Sequence, residues 1–210
     1  TSLEPIRPEP QLVDNYELGT QAAWERADLA LTVFYSESEL GTSLAAANPN
    51  EPIPVLRSPE RIYGFEAEFN AYPTDDLSTG GTFTWLEGKT DSDDNGSYET
   101  YLAGNRISPL KLTAYVEHDT TRRWSNRLQA MVVGDRDRFE GSGFGRGEVE
   151  SYTILDLTSR WQLPQGDLTL AVNNLLNEDY FPVISQIYNF DTQYTQGPGR
   201  SVMLTYGLDW

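Results

Sequence analysis

The alternation of apolar and polar side chains limits which folds this chain can adopt more than any other feature of its sequence. Nine segments show the pattern and none shows sustained helical periodicity: residues 13–22, 25–38, 59–73, 77–90, 108–119, 124–137, 149–163, 166–176 and 200–210. Neighbouring side chains on a strand point to opposite faces, so the pattern predicts strands with one apolar and one polar face. In the last segment the apolar or aromatic parity is Val202, Leu204, Tyr206, Leu208 and Trp210.

The predicted connections alternate in length. Short ones run from Gln21 to Trp24, Pro73 to Asp76, Thr120 to Arg123 and Pro164 to Gly166, and long ones cover residues 39–58, 91–107, 138–148 and 177–199. The fold of a soluble β-sandwich does not require short and long connections to alternate. A barrel that crosses a membrane does, because its turns are short on the periplasmic side and its loops are long outside. The sequence therefore predicts an all-β, antiparallel, up-and-down transmembrane barrel.

The tryptophans fall mainly at one end of the predicted strands. Trp24 and Trp124 are expected to begin strands at the short-turn end, and Trp161 and Trp210 to end strands there. Tyr72 is expected to lie at the same end. Indole rings favour the bilayer interface, where the ring is apolar and the N–H stays hydrated. This distribution indicates an aromatic girdle.

Composition excludes several other classes. The net charge of -17 makes nucleic acid a poor partner, and the absence of cysteine excludes disulfides and thiolate metal sites. The mean hydropathy of -0.52 does not oppose a membrane location. A spanning strand needs only about 9 to 11 residues, of which every second one is apolar.

Four stretches resemble one known family. They are Leu170 to Tyr180 (LAVNNLLNEDY), Gly197 to Val202 with the strand that follows to Trp210, Pro8-Glu9-Pro10 with Asp14 to Gly19, and Ser108 to Leu112. In this order they resemble motifs of TonB-dependent outer-membrane receptors of the ferric-siderophore type. The chain departs from the family in ending on Trp rather than Phe, and in having Arg7 and Gln11 beside the Pro-Glu where lysine is usual.

The resemblance implies a twenty-two-stranded barrel around an N-terminal plug. The nine strands would be the last nine, so residues 1–210 are expected to be the C-terminal portion of the barrel, beginning in the loop before the fourteenth strand and lacking the plug. An open nine-stranded sheet would leave unpaired backbone groups in lipid, at several kcal/mol each. The last strand is expected to close the barrel and to be recognised by the outer-membrane assembly machinery. The implied partners also include outer-membrane lipid and, through the missing plug, the TonB complex.

The resemblance implies import of a ferric siderophore across the bacterial outer membrane, with no cofactor and no catalytic or metal-binding residue. Extracellular loops would capture the ligand, because aromatic cups suit flat, partly apolar siderophores and arginine suits their negative charge. The alternative is that these aromatic residues pack the loops together or belong to the outer aromatic belt. The candidates are Tyr98, Tyr101, Arg106, Arg146, Tyr180, Phe181, Tyr188, Phe190 and Tyr194.

Two further motifs invite a chemical interpretation. Residues 91–96 open like an EF-hand loop, but Leu102 stands where the last ligand, a glutamate, is required, so a solvated acidic loop with adventitious calcium binding is expected. Residues 141–147 are rich in glycine, but they neither follow a Rossmann strand nor open a helix, and they predict a flexible loop.

Other functions remain as alternatives. The same fold could import cobalamin, haem or a carbohydrate, which loop sequence separates poorly. An outer-membrane enzyme would need an imidazole base near the outer rim, and the single histidine, His118, is predicted at the opposite rim. A soluble β-sandwich would have to bury the apolar parity against a second sheet.

Overall fold

The computed structural model describes residues 12–39, 43–44, 55–56, 58–93, 95–138, 148–187 and 195–208. Within those ranges no helix has the length and apolar character needed to traverse a bilayer. The one helix described, α1, has five residues.

Nine long strands form one antiparallel sheet, and the predicted all-β class is confirmed. Each predicted segment overlaps one of them, and the sheet order is β1-β2-β5-β6-β8-β9-β10-β11-β12, with β7 added beside β6. The sheet is open, since β1 and β12 are its two edges. The elements are β1 (Val13–Trp24), β2 (Ala27–Ser38), β3 (Ser43–Leu44), β4 (Val55–Leu56), β5 (Glu60–Thr74), β6 (Leu77–Thr90), β7 (Thr100–Tyr101), β8 (Lys111–Thr121), β9 (Trp124–Val133), β10 (Tyr152–Leu163), β11 (Gly166–Asn173), α1 (Val183–Ile187) and β12 (Ser201–Leu208).

Tight two-residue turns join alternate strands at one edge of the molecule, which we call the short-turn rim. The turns are 25–26, 75–76, 122–123 and 164–165. The prediction placed the first of them at Gln21 to Trp24, which is wrong. Those residues continue the ladder, with Gln21 opposite Ala30 and Trp24 opposite Ala27, so Trp24 closes β1 instead of opening β2. The opposite edge carries the long connections and is called the long-loop rim.

The register of the sheet aligns the apolar parity of all nine strands on a single face, the apolar face. One cross-strand row reads Leu31, Ala67, Phe83, Leu112 and Val132 across β2, β5, β6, β8 and β9. Apolar residues also face each other at the C-terminal edge of the same face, where Leu170 lies opposite Leu204. A one-residue slip in any pair would turn one strand's apolar set to the other side. The agreement of eight successive pairings therefore confirms the alternation predicted from sequence.

Aromatic rows border the apolar face at both rims. At the long-loop rim Tyr16 lies opposite Tyr35, which lies opposite Tyr63. At the short-turn rim Trp124 and Trp161 pair across strands, with ring centroids 6.2 Å apart and planes 12° from parallel. Trp210 lies outside the described residues.

Polar groups on the apolar face are joined to one another near the short-turn rim. The Trp124 indole N–H donates to Ser159 Oγ at 2.8 Å, and Ser159 Oγ donates to Asn126 Oδ1 at 2.6 Å. Asn126 Nδ2 donates in turn to Thr120 Oγ1 at 2.9 Å. A chain of this kind reduces the free-energy cost of placing hydroxyl and amide groups away from water.

Buried apolar side chains are few and do not form a central core. Those of the described residues with at most 9 % exposure are Leu102, Ile107, Val133, Val149, Ile154, Ala171 and Ile187. The strand members among them point to the polar face, and most lie near the long-loop rim where loops cover the sheet. Val116 and Leu128, on interior strands of the apolar face, are instead 48 % and 41 % exposed. The described part of the chain therefore leaves the apolar face uncovered by protein.

Candidate functional site

The middle of the polar face is a wall of charged and amide groups. The Arg127 guanidinium stacks on the Tyr115 ring, with Cζ 3.8 Å from the ring centre, and forms an ion pair with Glu117 at 3.2 Å. Asn70 donates to Asp28 at 3.1 Å and accepts from the Tyr115 hydroxyl at 3.4 Å. A shallow depression of about 210 Å³ is lined by several of these groups. Such a surface suits contact with water or with polar protein.

The loop after β6 folds back over the polar face. Gly88 makes this possible, because a Cβ at that position would lie 2.7 Å from both Leu102 Cδ1 and Ile107 Cδ1. Arg106 extends from this loop and makes a two-pronged contact with Glu60, at 3.0 and 2.6 Å. Glu60 is 5 % exposed, so Arg106 compensates a buried carboxylate while its own side chain remains 34 % exposed.

The acidic turn in the same loop is organised by Asp91. Its carboxylate accepts the N–H groups of Asn95 and Gly96, at 3.1 and 2.7 Å, and the residue is 2 % exposed. Burial opposes ionisation, but the two backbone donors outweigh it, and the pKa of the Asp91 carboxyl lies below its ordinary value. The expectation of a wholly solvated loop is therefore wrong for Asp91. In the part of the chain that the structure describes, no three acidic or histidine side chains form a metal-binding group.

Tyr98 and Tyr101 lie against cations on the apolar-face side of the long-loop rim. The Arg61 guanidinium stacks over the Tyr98 ring at 3.6 Å, and the Tyr98 hydroxyl donates to Glu37 at 3.0 Å. Lys89 Nζ lies 4.6 Å from the centre of the Tyr101 ring. Because Glu37, Arg61 and Lys89 share the apolar parity, both rings contact the outside of the sheet rather than the polar face.

The last long loop is closed at its base by Asn174. This residue is 3 % exposed and has φ 51°, a left-handed conformation that asparagine tolerates better than most residues. Its side chain donates to Glu178 O at 2.8 Å and to Pro198 O at 3.1 Å, and it accepts from Glu178 N at 2.8 Å. The Asn174 amide thus bridges the two ends of the loop, which are also joined where Asn177 Oδ1 accepts from Arg200 N at 3.0 Å and Tyr180 O accepts from Gly197 N at 2.8 Å. The Asn173-Asn174 pair contributes to the family resemblance, but its spacing in the sequence does not predict this bridge.

Tyr180 and Phe181 begin the outward part of this loop. Tyr180 packs on Tyr152 with centroids 4.7 Å apart, and a Cβ at Gly197 would lie 2.2 Å from the Tyr180 ring, so only glycine fits there. Phe181 is 40 % exposed. Its carbonyl accepts from Gln186 of α1, whose side chain also bonds both N and O of Glu150. The loop is therefore fixed to the stem of the preceding loop, on the polar-face side.

Four predicted ligand contacts, Arg146, Tyr188, Phe190 and Tyr194, lie outside the described residues. Of the predicted residues that are described, Arg106, Tyr180 and Phe181 lie on the polar-face side. Tyr98 and Tyr101 lie on the other. All of them stay predictions as ligand contacts. On the C-terminal strand, Val202, Leu204, Tyr206 and Leu208 share the apolar face and form an exposed edge.

His118 lies at the short-turn rim, where its Nε2 is 3.6 Å from Asp76 Oδ2 and its Nδ1 is 3.1 Å from Thr120 Oγ1. Its place agrees with the sequence prediction. It is far along β8 from the long loops and is not part of the candidate site.

Comparison with known proteins identifies a family and a relative. Residues 5–175 match the family described as TonB dependent receptor-like, beta-barrel. The ferric aerobactin receptor of Escherichia coli is 32 % identical over 195 residues, which are 92 % of this chain and 25 % of the relative. The chain thus spans about a quarter of the length of that relative.

Solved structures share the fold at lower identity. The copper transporter OprC superposes with a TM-score of 0.79 at 16 % identity, over 94 % of this chain and 31 % of that one. The pyoverdine outer membrane receptor FpvA from Pseudomonas aeruginosa PAO1 has a TM-score of 0.73 at 19 % identity, over 96 % of this chain and 30 % of that one. These likenesses establish the architecture alone.

Proposed function

The chain belongs to the TonB-dependent receptor family, by the match of most of its length to the barrel domain, and from that premise we propose that it is the C-terminal portion of a receptor that imports ferric siderophores across the bacterial outer membrane. The resemblance found from sequence motifs is confirmed at the level of the family. The ferric-siderophore cargo is supported by the aerobactin receptor, the relative at 32 % identity.

The observation that carries the membrane location is the uncovered apolar face. It spans nine strands, and the tyrosine row and the tryptophan pair mark its two borders. On β2, Tyr35 belongs to the tyrosine row and Ala27 lies opposite Trp24 at the short-turn rim. The two are eight residues apart, about 27 Å along the strand and about 20 Å along the membrane normal after tilting. That height is close to the roughly 25 Å apolar band of outer-membrane barrels. Lipid is the covering that this surface requires.

The orientation follows from loop length. Short turns face the periplasm and long loops face outward in bacterial barrels, so the short-turn rim is periplasmic and the long-loop rim is extracellular. The apolar face then contacts lipid, and the polar face with Arg127 and Glu117 lines the lumen. The edge strands β1 and β12 pair with strands of the remaining barrel, because unpaired backbone groups in hydrocarbon are too unfavourable.

Transport requires parts that lie beyond this chain. The plug and its TonB contact would supply the energised movement, and the barrel wall would perform no covalent chemistry and hold no cofactor. This chain contributes the wall and the loops that capture the ligand. On the polar-face side Arg106, Tyr180 and Phe181 lie where incoming ligand would pass. Tyr188, Phe190 and Tyr194 belong to the same long loop as Tyr180 and Phe181, and Arg146 belongs to the long loop between β9 and β10.

The cargo is tested by deleting the gene for the full-length receptor. Under iron limitation, siderophores are supplied singly, and uptake of labelled ferric aerobactin, a ferric catecholate and haem is measured. We expect loss of one ferric-siderophore uptake, restored by the intact gene, with ferric aerobactin the first candidate. If every ferric chelate still enters the deletion strain at the parental rate, the siderophore assignment is wrong.

A further inference from the structure

One buried side chain attaches the last long loop, residues 174–200 between β11 and β12, to the long loop before it. Gln186 of α1 is 7 % exposed, and its Oε1 accepts from Glu150 N at 2.7 Å. Its Nε2 donates to Glu150 O at 3.2 Å and to Phe181 O at 2.8 Å. All three bonds are made to backbone groups, so this contact fixes the path of both chain segments, whatever side chains they carry.

The preceding loop is itself fixed at the point of attachment. Glu150 follows Val149, which is 1 % exposed and exchanges two backbone hydrogen bonds of 2.9 Å with Arg136. The Arg136 guanidinium donates in turn to both carboxylate oxygens of Glu87 on β6, each at 2.9 Å. Gln186 therefore attaches the last long loop to groups that are bonded to the sheet.

The beginning of the same segment is fixed by aromatic packing. The centroid of the Tyr180 ring lies 4.7 Å from that of Tyr152 on β10, and Gly197 packs so closely on the Tyr180 ring that a Cβ would not fit. The Tyr180 carbonyl also accepts from Gly197 N at 2.8 Å. Residues 180–187 are thus attached at both ends, while Phe181 between them remains 40 % exposed.

We propose that Gln186 is a positioning residue for ligand capture, which holds residues 180–187 in the ligand-binding arrangement before the ferric siderophore arrives. Phe181 then meets the ligand as part of a preformed wall, and not as part of a lid that closes over it. Preformed contacts avoid the loss of conformational entropy that a loop undergoes when it becomes ordered on binding. Gln186 therefore raises the affinity without touching the ligand.

This role rests on the proposed import of ferric siderophores, but the two can fail separately. If the siderophore assignment is wrong, a strain that lacks the receptor still takes up every ferric chelate at the parental rate. If only the role of Gln186 is wrong, uptake is lost in that strain and is restored equally by the parent receptor and by a Gln186 variant.

The variants are made in the full-length receptor and expressed in the deletion strain. Gln186→Met introduces a side chain of similar length that makes none of the three hydrogen bonds. Gln196→Met is the matched control, because Gln196 is exposed in the same loop and donates to Asp179 at 2.9 Å. Uptake of labelled ferric aerobactin, or of the ferric siderophore that the deletion strain no longer imports, gives KM and the maximal rate per surface receptor.

We expect Gln186→Met to raise KM about ten-fold, which is the change produced when only about one receptor in ten has the loop in place. The maximal rate per surface receptor should stay at the parental value, because a general loss of structure would lower that rate or the amount of receptor instead. Gln196→Met should match the parent in both quantities. A KM for Gln186→Met equal to that of the control would overturn the proposal.

Hydrogen exchange in the parent receptor tests the preformed arrangement without any substitution. The Glu150 amide reports the contact directly, since its hydrogen is bonded to Gln186 Oε1. We expect this amide to be protected in the ligand-free receptor and to change little when the ferric siderophore is added. Protection that appears only with the ligand would mean that the loop closes on it, and would overturn the proposal.

Discussion

Replacement of Asn174 by alanine should open the last long loop while leaving the sheet folded. The asparagine side chain makes three hydrogen bonds that join Glu178 to Pro198 across the loop. At about 1 kcal/mol each they contribute about 3 kcal/mol, and holding alanine at a left-handed φ adds about 1 kcal/mol. We therefore expect Asn174→Ala to lower the free energy of loop opening by about 3 to 4 kcal/mol, which is a change of two to three orders of magnitude in the opening equilibrium.

Hydrogen exchange in the full-length receptor measures this opening directly. The amides to follow are those of Glu178 and Gly197, which donate to Asn174 Oδ1 and to Tyr180 O. Asn173→Ala is the matched control, because Asn173 makes a single side-chain contact, to Ser201 at 3.3 Å. Unchanged protection at Glu178 in Asn174→Ala, or equal losses in the two variants, would refute the bridge.

Three other variants or conditions test separate parts of the structure. Leu112→Arg should destabilise the lipid-inserted receptor by about 2 to 4 kcal/mol in urea titrations, whereas Thr113→Arg on the polar face should be tolerated; equal effects would contradict the assignment of faces. Arg136→Ala should lower the free energy of unfolding by up to about 3 kcal/mol because it leaves the buried Glu87 carboxylate with only the more exposed Arg138 as an ion-pair partner, while loss of the exposed Arg26 ion pair should change it by less than about 1 kcal/mol. The Asp91 turn should stay protected from exchange above about pH 4 and loosen only below it, since a lowered folded-state pKa gives stability that is lost as the pH falls through that value; loosening at pH 6 would count against this origin.

The strands could be predicted from sequence because the alternation is local. The positions of Leu29, Leu31 and Val33 identify the apolar side of β2 from its own sequence, whichever strands lie beside it. Strand pairing then aligns the apolar sides of all strands on one face. Turn positions are harder. At Trp24 the ladder runs to the last residue before a two-residue turn, and no glycine, proline or asparagine marks that turn at Glu25 and Arg26.

The loop interior could not be predicted, because it depends on contacts between distant parts of the chain. Arg106 was chosen for its charge, but its contact with Glu60 joins residues 46 apart. The burial of Asp91 depends on how its own turn folds around the carboxylate. The cations beside Tyr98 and Tyr101 lie on the apolar parity beyond the tyrosine row, where alternation alone would predict hydrocarbon contact. Their position beyond the tyrosine row, rather than their parity, sets their surroundings.

Lipid contact of the apolar face is the claim on which the remaining interpretation depends, and spin labels in the full-length receptor measure it most directly. Labels replace Leu31, Leu112 and Leu204 on the apolar face, and Thr32, Thr113 and Thr205 on the polar face. In liposomes the first set should collide with dissolved oxygen and be shielded from a water-soluble nickel chelate, and the second set should show the reverse. If labels at the three leucine positions are hidden from acyl chains, the chain is not a lipid-facing barrel wall.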